Sequence, residues 1–115
     1  MDMTRLDILQ GTLDLLVLRT VAGGPKHGYQ IAEVIKSTSA DVLQVEEGAL
    51  YPALHRLQAR GWLESSWGRS ESNRRAKFYD LTAEGREALT AQRADWNQYV
   101  AAVARIMDGA AEGTR

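Results

Sequence analysis

In the stretch EEGALYPALHRLQARG, Leu50, Leu54 and Leu57 recur at the spacing of one helical face, and Ala53 falls on the same side. The opposite side carries Gly48, Tyr51, Pro52, His55, Arg56 and Ala59, residues that are small, flat or able to donate hydrogen bonds. The pattern predicts a helix from about Glu46 or Glu47 to Arg60, with an outward face lean enough to lie in a groove. Acidic residues at its start and Arg60 in its last turn suit the helix dipole, and Gly61 stands where glycine often ends a helix. Pro52 removes one backbone donor inside it and predicts a mild distortion.

Residues 6–21 are apolar on nearly every side and predict a helix that must be covered all round. Two readings stand: a central core helix, or a helix that partly faces a second copy of the chain. The following Ala-Gly-Gly-Pro-Lys is a turn. It follows a helix and lacks the GxxxxGK[ST] spacing, so it is not a phosphate loop. Residues 27–37 predict a second helix with Tyr29, Ile31, Ala32, Val34 and Ile35 as its apolar positions, and His27 as a cap or packing residue. Residues 37–41 form a polar connector, and residues 42–45 a short extended segment.

Residues 62–67 alternate, with Leu63, Ser65 and Trp67 on one side, and residues 75–81 form a second strand favoured by Phe78 and Tyr79. The polar turn between them makes a β-hairpin. Thr82 suits the N-cap of a last helix running to about Met107. Along it Leu89, Trp96, Val100, Val103 and Met107 recur at threes and fours, beside Tyr99 and Ile106. At ~1.5 Å per residue it spans roughly 39 Å, more than a small winged core needs, so its apolar side chains point to a partner subunit. Ala101, Ala102 and Ala104 would permit close helix approach. The expected fold is mainly α with a small β-hairpin wing: a winged helix-turn-helix over residues 1–81, a dimerisation helix over 82–108 and a flexible tail over 109–115.

The chain has 115 residues, enough for one domain, and no apolar run long enough to span a membrane. The start MDMTRLDILQ lacks the pattern of a secretion signal, which makes a cytoplasmic address the default. With no cysteine and two histidines, a histidine-and-thiolate metal site has almost no material; no metal or cofactor is expected. No nucleophile–base pair or carboxylate pair stands out, which argues against an enzyme, and Asp7, Asp14 and Glu33 read as solvated helix positions. The net charge of −1 argues against a strongly basic nucleic-acid binder. Its distribution says otherwise: Arg69, Arg74, Arg75 and Lys77 meet a single acid, Glu71, in the hairpin. Such a run is usually a solvated loop. Directly after an outward-facing helix it reads instead as a local phosphate-binding footprint.

HGYQI at residues 27–31, GALYPALHRLQARGWL at 48–63 and RRAKFYDLTAEGR at 74–86 closely resemble the PadR-like transcriptional regulators. The likeness runs from Leu9 to about Arg86 and, more loosely, into the last helix. LYPAL together with LTAEG is fairly specific, whereas LTAEG alone occurs in many winged helices. The resemblance implies a dimeric winged-helix repressor in which the C-terminal helix packs on the partner's N-terminal helix. The single C-terminal helix resembles the shorter branch of that family, where some members bind planar aromatic compounds between subunits.

On this reading a homodimer binds a palindromic operator in double-stranded DNA, with Tyr51, His55 and Arg56 on the major-groove face. Lys36 approaches phosphate from the preceding helix, and Arg69, Arg74, Arg75 and Lys77 hold the wing on the backbone, with Arg75 or Lys77 partly committed to the hairpin. The dimer interface would use Leu9, Leu13, Leu89, Trp96, Val100, Val103 and Met107, with Trp96 also placed for an aromatic effector. The plainer reading of Trp96 is dimer core. The alternative function is a winged-helix interaction module that does not bind DNA, favoured by the near-neutral charge and by Glu46 and Glu47 at the helix start.

Overall fold

Helix α1 (Leu13–Val21) buries Val17, Leu18 and Val21 completely and forms the centre of the core. The computed structural model describes residues 6–8 and 11–109. Helix α2 (Gly28–Thr38) adds Ile31 and Ile35 to that core, and helix α3 (Glu47–Ala59) adds Leu50, Ala53, Leu54 and Leu57. Those are apolar positions that the spacing places inward; Tyr29, grouped with them in α2, is instead 69% exposed, because it stands on the opposite side of the helix from the buried Ile31 and Ile35. Each fully buried leucine contributes about 1.5–3 kcal/mol, so the α3 stripe alone anchors the helix.

The hairpin expected after α3 is present as β4 (Leu63–Arg69) and β5 (Arg75–Leu81), paired antiparallel from Leu63 opposite Leu81 to Arg69 opposite Arg75. The first strand runs two residues further than its alternation predicts, into what reads as loop. A short strand β2 (Lys26–His27) pairs with the other edge of β5 and completes a three-stranded sheet in the order β2-β5-β4. Helix α4 (Ala83–Met107) follows, with the Thr82 hydroxyl accepting from the Gly85 N–H at 2.9 Å as the expected N-cap. The architecture is mainly helical with a small antiparallel wing, as the sequence predicts.

The first helix is shorter than expected. Residues 6–21 read as one apolar helix, yet α1 begins only at Leu13, and β1 (Leu6–Asp7) is instead a two-residue strand paired parallel to β3 (Leu43–Gln44). Gly11, at φ +92°, sits outside the helical region and marks the break. The extended segment expected at residues 42–45 is thus a real strand, with a partner that the sequence pattern does not reveal. The proline inside α3 is present at Pro52, and the helix ends at Ala59 with Arg60 as C-cap.

Candidate nucleic-acid interface

Helix α3 turns Gly48, Tyr51, Pro52, His55 and Ala59 to solvent, opposite its buried leucines. Tyr51 is 41% exposed. Its ring leans across the start of α2, where a Cβ on Gly28 would stand 2.6 Å from the Tyr51 hydroxyl. A side chain at position 28 would push the ring away, so glycine there is what lets the Tyr51 ring lie against the start of α2. Tyr51 also faces Tyr79, whose phenol is pushed up from its ordinary pKa by burial, with Tyr51 adding to the effect.

The wing stands beside this face. Side chains alternate along a strand, and cross-strand partners share a face. Leu63, Tyr79 and Leu81 are buried toward the helices, so Trp67, Arg69, Arg75 and Lys77, at the same parity, extend that face outward beyond the core. Trp67, Arg75, Lys77, Tyr51 and His55 line one open groove of about 430 Å³ against the start of α2. The Arg75 guanidinium stacks on the Trp67 ring at 4.3 Å, and the Lys77 ammonium lies 5.9 Å from the Tyr79 ring, so both bases are partly held by the hairpin. Arg69 donates to the Asn73 carbonyl at 3.2 Å across the tip. Asn73 sits there at φ +61°, a conformation asparagine tolerates in turns. Arg69 stands directly opposite Arg75, and like charges so placed oppose pairing. Strand stability does not account for that choice of residues.

The wing tip is tied back to α2. His27 is the N-cap of that helix: its Nδ1 accepts from the Gln30 N–H at 3.3 Å, and the Gln30 Oε1 accepts from the His27 N–H at 3.1 Å. An accepting Nδ1 puts the proton of the neutral ring on Nε2, which donates to Glu71 at 3.1 Å. Gln30 Nε2 donates to the other Glu71 oxygen at 3.0 Å. The Glu71 carboxyl is held below its usual pKa by its own backbone first, then by His27 and Gln30. The capping role of His27 was legible from its place before the helix. The part played by Glu71 was not, since the tip reads only as a solvated loop containing one acid.

Arg56 departs from its expected setting. It lies on the flank of the outward face and is drawn toward α1, donating to Asp14 Oδ1 at 2.6 Å and to Oδ2 at 3.4 Å. The hydrogen bond and charge of Asp14 raise its pKa further. Arg60 reaches the same carboxylate at 3.7 Å. Asp14 is therefore not the solvated position that α1 suggested; its side chain is 17% exposed beneath two guanidiniums. Lys36 is half-buried in the last turn of α2, and Arg69, Arg74 and Arg75 are exposed on the wing.

Among the residues expected at a subunit interface, Leu13 and Leu89 are half-buried against the chain's own core. Trp96 is half-buried, 6.1 Å from the Tyr99 ring, in a groove of about 350 Å³ shared with Leu15. Val100, Val103 and Met107 are exposed, along with Tyr99 and Ile106. Leu9 lies outside the described residues, as does the tail beyond Gly109. No group of three or more potential metal-ligating side chains occurs among the described residues. No helix among them is long and apolar enough to cross a membrane.

Residues 17–91 match the sequence profile of the transcriptional regulator PadR-like family. The chain is similar in structure to a transcriptional regulator from Clostridium thermocellum, with a TM-score of 0.76, 25% identity, and coverage of 84% of this chain and 93% of that one. A PadR family transcriptional regulator from Eggerthella lenta superposes with a TM-score of 0.73 at 30% identity, over 85% of this chain and 83% of that one. An uncharacterized protein from Lysinibacillus sphaericus is 27% identical over 107 residues, covering 93% of this chain and 98% of its own.

Proposed function

Because the chain belongs to the PadR-like family of transcriptional regulators, which act by binding DNA, we propose that it works as a homodimeric repressor on a palindromic operator. Each α3 enters a major groove, and each wing lies on the adjoining backbone. The observation that carries this reading is the single surface formed by the uncluttered face of α3 and the opposed arginines of the wing. A duplex phosphate supplies the negative charge that the Arg69–Arg75 pairing lacks. Tyr51 and His55 reach base edges or phosphates in the groove, and Lys36, Arg69, Arg74, Arg75 and Lys77 position the protein on the backbone. The reading places the protein with the chromosome, in the cytoplasm.

Dimerisation is supported by α4, whose far half exposes Tyr99, Val100, Val103, Ile106 and Met107. A second copy is the partner that covers them and pairs two α3 helices on one duplex. The groove beside Trp96, walled by Leu15 and Tyr99, supports release of the operator by a planar aromatic effector. Stacking on Trp96 would quench its fluorescence; an unchanged signal across a broad panel of aromatic compounds counts against an effector at that place.

A second reading, an interaction module without DNA binding, draws on the exposed Glu46 and Glu47 at the start of α3 and on the net charge of −1. Fluorescence anisotropy with the duplex upstream of the chain's own gene separates the two. Wild type should bind it with steep salt dependence. Arg74→Ala with Arg75→Ala should weaken binding to every sequence alike, by roughly tenfold per lost contact at about 0.1 M salt, and flatten the slope by about 0.9 for each. Normal affinity and slope in that double variant would remove the wing from the interface. No binding by wild type would favour the second reading.

A further inference from the structure

Two guanidiniums converge on one carboxylate that the sequence presents as an ordinary surface residue. Asp14 lies in the first turn of α1, and Arg56 and Arg60 lie one turn apart near the end of α3. On the helical projection Arg56 borders the outward face, next to Pro52 and Ala59. Its side chain is long enough to lie over that face, and in the structure it turns to α1 instead. The 2.6 Å contact and the paired Nε and Nη2 donors describe a side-on clamp. Arg60 is further held over the Trp62 ring at 5.2 Å.

Stability gives only a weak reason for this cluster. The arginines are 47% and 48% exposed, and ion pairs so open to water contribute little. An acid in the first turn suits the dipole of α1, but that needs neither arginine. A consequence for binding is larger. A guanidinium beside the groove-facing surface attracts any phosphate, whatever the sequence, and each such contact raises affinity for all duplexes alike. Held on Asp14, the two guanidiniums share one carboxylate, which halves their net charge and turns both aside. The face of α3 then offers Gly48, Tyr51, Pro52, His55 and Ala59, which carry shape and hydrogen-bonding groups but no fixed cation.

We propose that Asp14 is a positioning residue that withholds Arg56 and Arg60 from the phosphate backbone, and so raises discrimination between operator and other DNA. The proposal rests on the DNA-binding reading above. It makes Arg56 a restrained cation rather than a base reader, and places a determinant of specificity on α1, outside the surface that touches the duplex.

The test uses the full chain, a random-sequence duplex and a duplex selected by the wild-type protein from a random pool, each titrated across a salt series. Asp14→Asn should bind the random duplex roughly tenfold more tightly at about 0.1 M salt, with a slope steeper by about one to two. The gain on the selected duplex should be smaller, so the specificity ratio falls. Adding Arg56→Gln and Arg60→Gln to Asp14→Asn should restore the wild-type slope. Arg60→Gln in the wild-type background leaves Asp14 and Arg56 as a one-to-one pair and should leave the random-duplex salt slope unchanged, a result that does not depend on how Asp14→Asn folds. Unchanged slope and ratio in Asp14→Asn, with only a lower melting temperature, would reduce the clamp to a packing contact and overturn the proposal. So would a flatter random-duplex slope in Arg60→Gln. If wild type selects no duplex at all, the DNA-binding reading falls first and takes the proposal with it.

Discussion

A Gly85→Ala protein is expected to lose about 3 kcal/mol of stability, roughly 10–20 °C in melting temperature. A Cβ at position 85 would enter the carbonyl oxygen of Trp62 and stand 3.0 Å from Leu81 Cδ2. A flexible side chain in that place would swing away. The carbonyl is backbone, fixed by accepting the Thr82 N–H at 3.1 Å, and Thr82 in turn caps α4 through the Gly85 N–H. Alanine's better helix propensity, at most about 1 kcal/mol and less in a first turn, opposes the clash without matching it. The variant therefore either tilts α4 off the base of the wing or breaks its cap. Thermal melts followed by circular dichroism check this, and a melting point at or above wild type would show that α4 docks with more room than the structure gives it. DNA affinity should fall with stability, because α4 bridges the winged domain and the surface proposed for the second copy.

That one glycine shows what the sequence discloses and what it hides. LTAEG is visible as a pattern, and Thr82 is legible as a cap because the cap and its helix are neighbours in the chain. The need for glycine comes from Trp62, which reaches position 85 only once the hairpin has folded back. Helix α3 and the hairpin were legible for the same local reason: leucines at threes and fours, and alternation across a polar turn, are periodic signals. The first helix was overextended because apolar content says nothing of backbone dihedrals, and Gly11 alone marks where the chain leaves the helix. Strand β2 is two residues long, too short for alternation to show. The site divides in the same way. The exposed face of α3 and the cationic wing follow from period and charge. The Asp14–Arg56 clamp joins residues 42 positions apart, and the Glu71 tie to His27 joins residues 44 apart. Neither has a local signature, and both decide which charges remain available to a ligand.

Glutamate at both Val103 and Ile106 should abolish dimerisation and lower affinity for the selected operator by at least about a hundredfold. The two side chains are 37% and 72% exposed, so charging them leaves the winged core, anchored by α1, α2 and α3, with its packing intact. In a two-fold assembly they would lie in the apolar seam, where four unpaired carboxylates would lose their hydration, a cost that one hydrophobic seam cannot offset. The loss in binding follows from linkage. Two α3 helices held in one particle bind two half-sites with the second contact made at high effective concentration, an advantage of about 10²–10⁴ over independent binding. A monomer keeps every residue of α3 and the wing and forfeits that factor. Sedimentation velocity reports the oligomeric state, circular dichroism the fold, and anisotropy the affinity for full operator and for a single half-site. The expected variant is a folded monomer that has lost the full operator yet binds the half-site as wild type does at matched salt. A variant that stays dimeric would place the subunit contact elsewhere than the far half of α4. A folded monomer with undiminished operator affinity would mean that one winged domain suffices, and the paired-helix geometry would have to be given up.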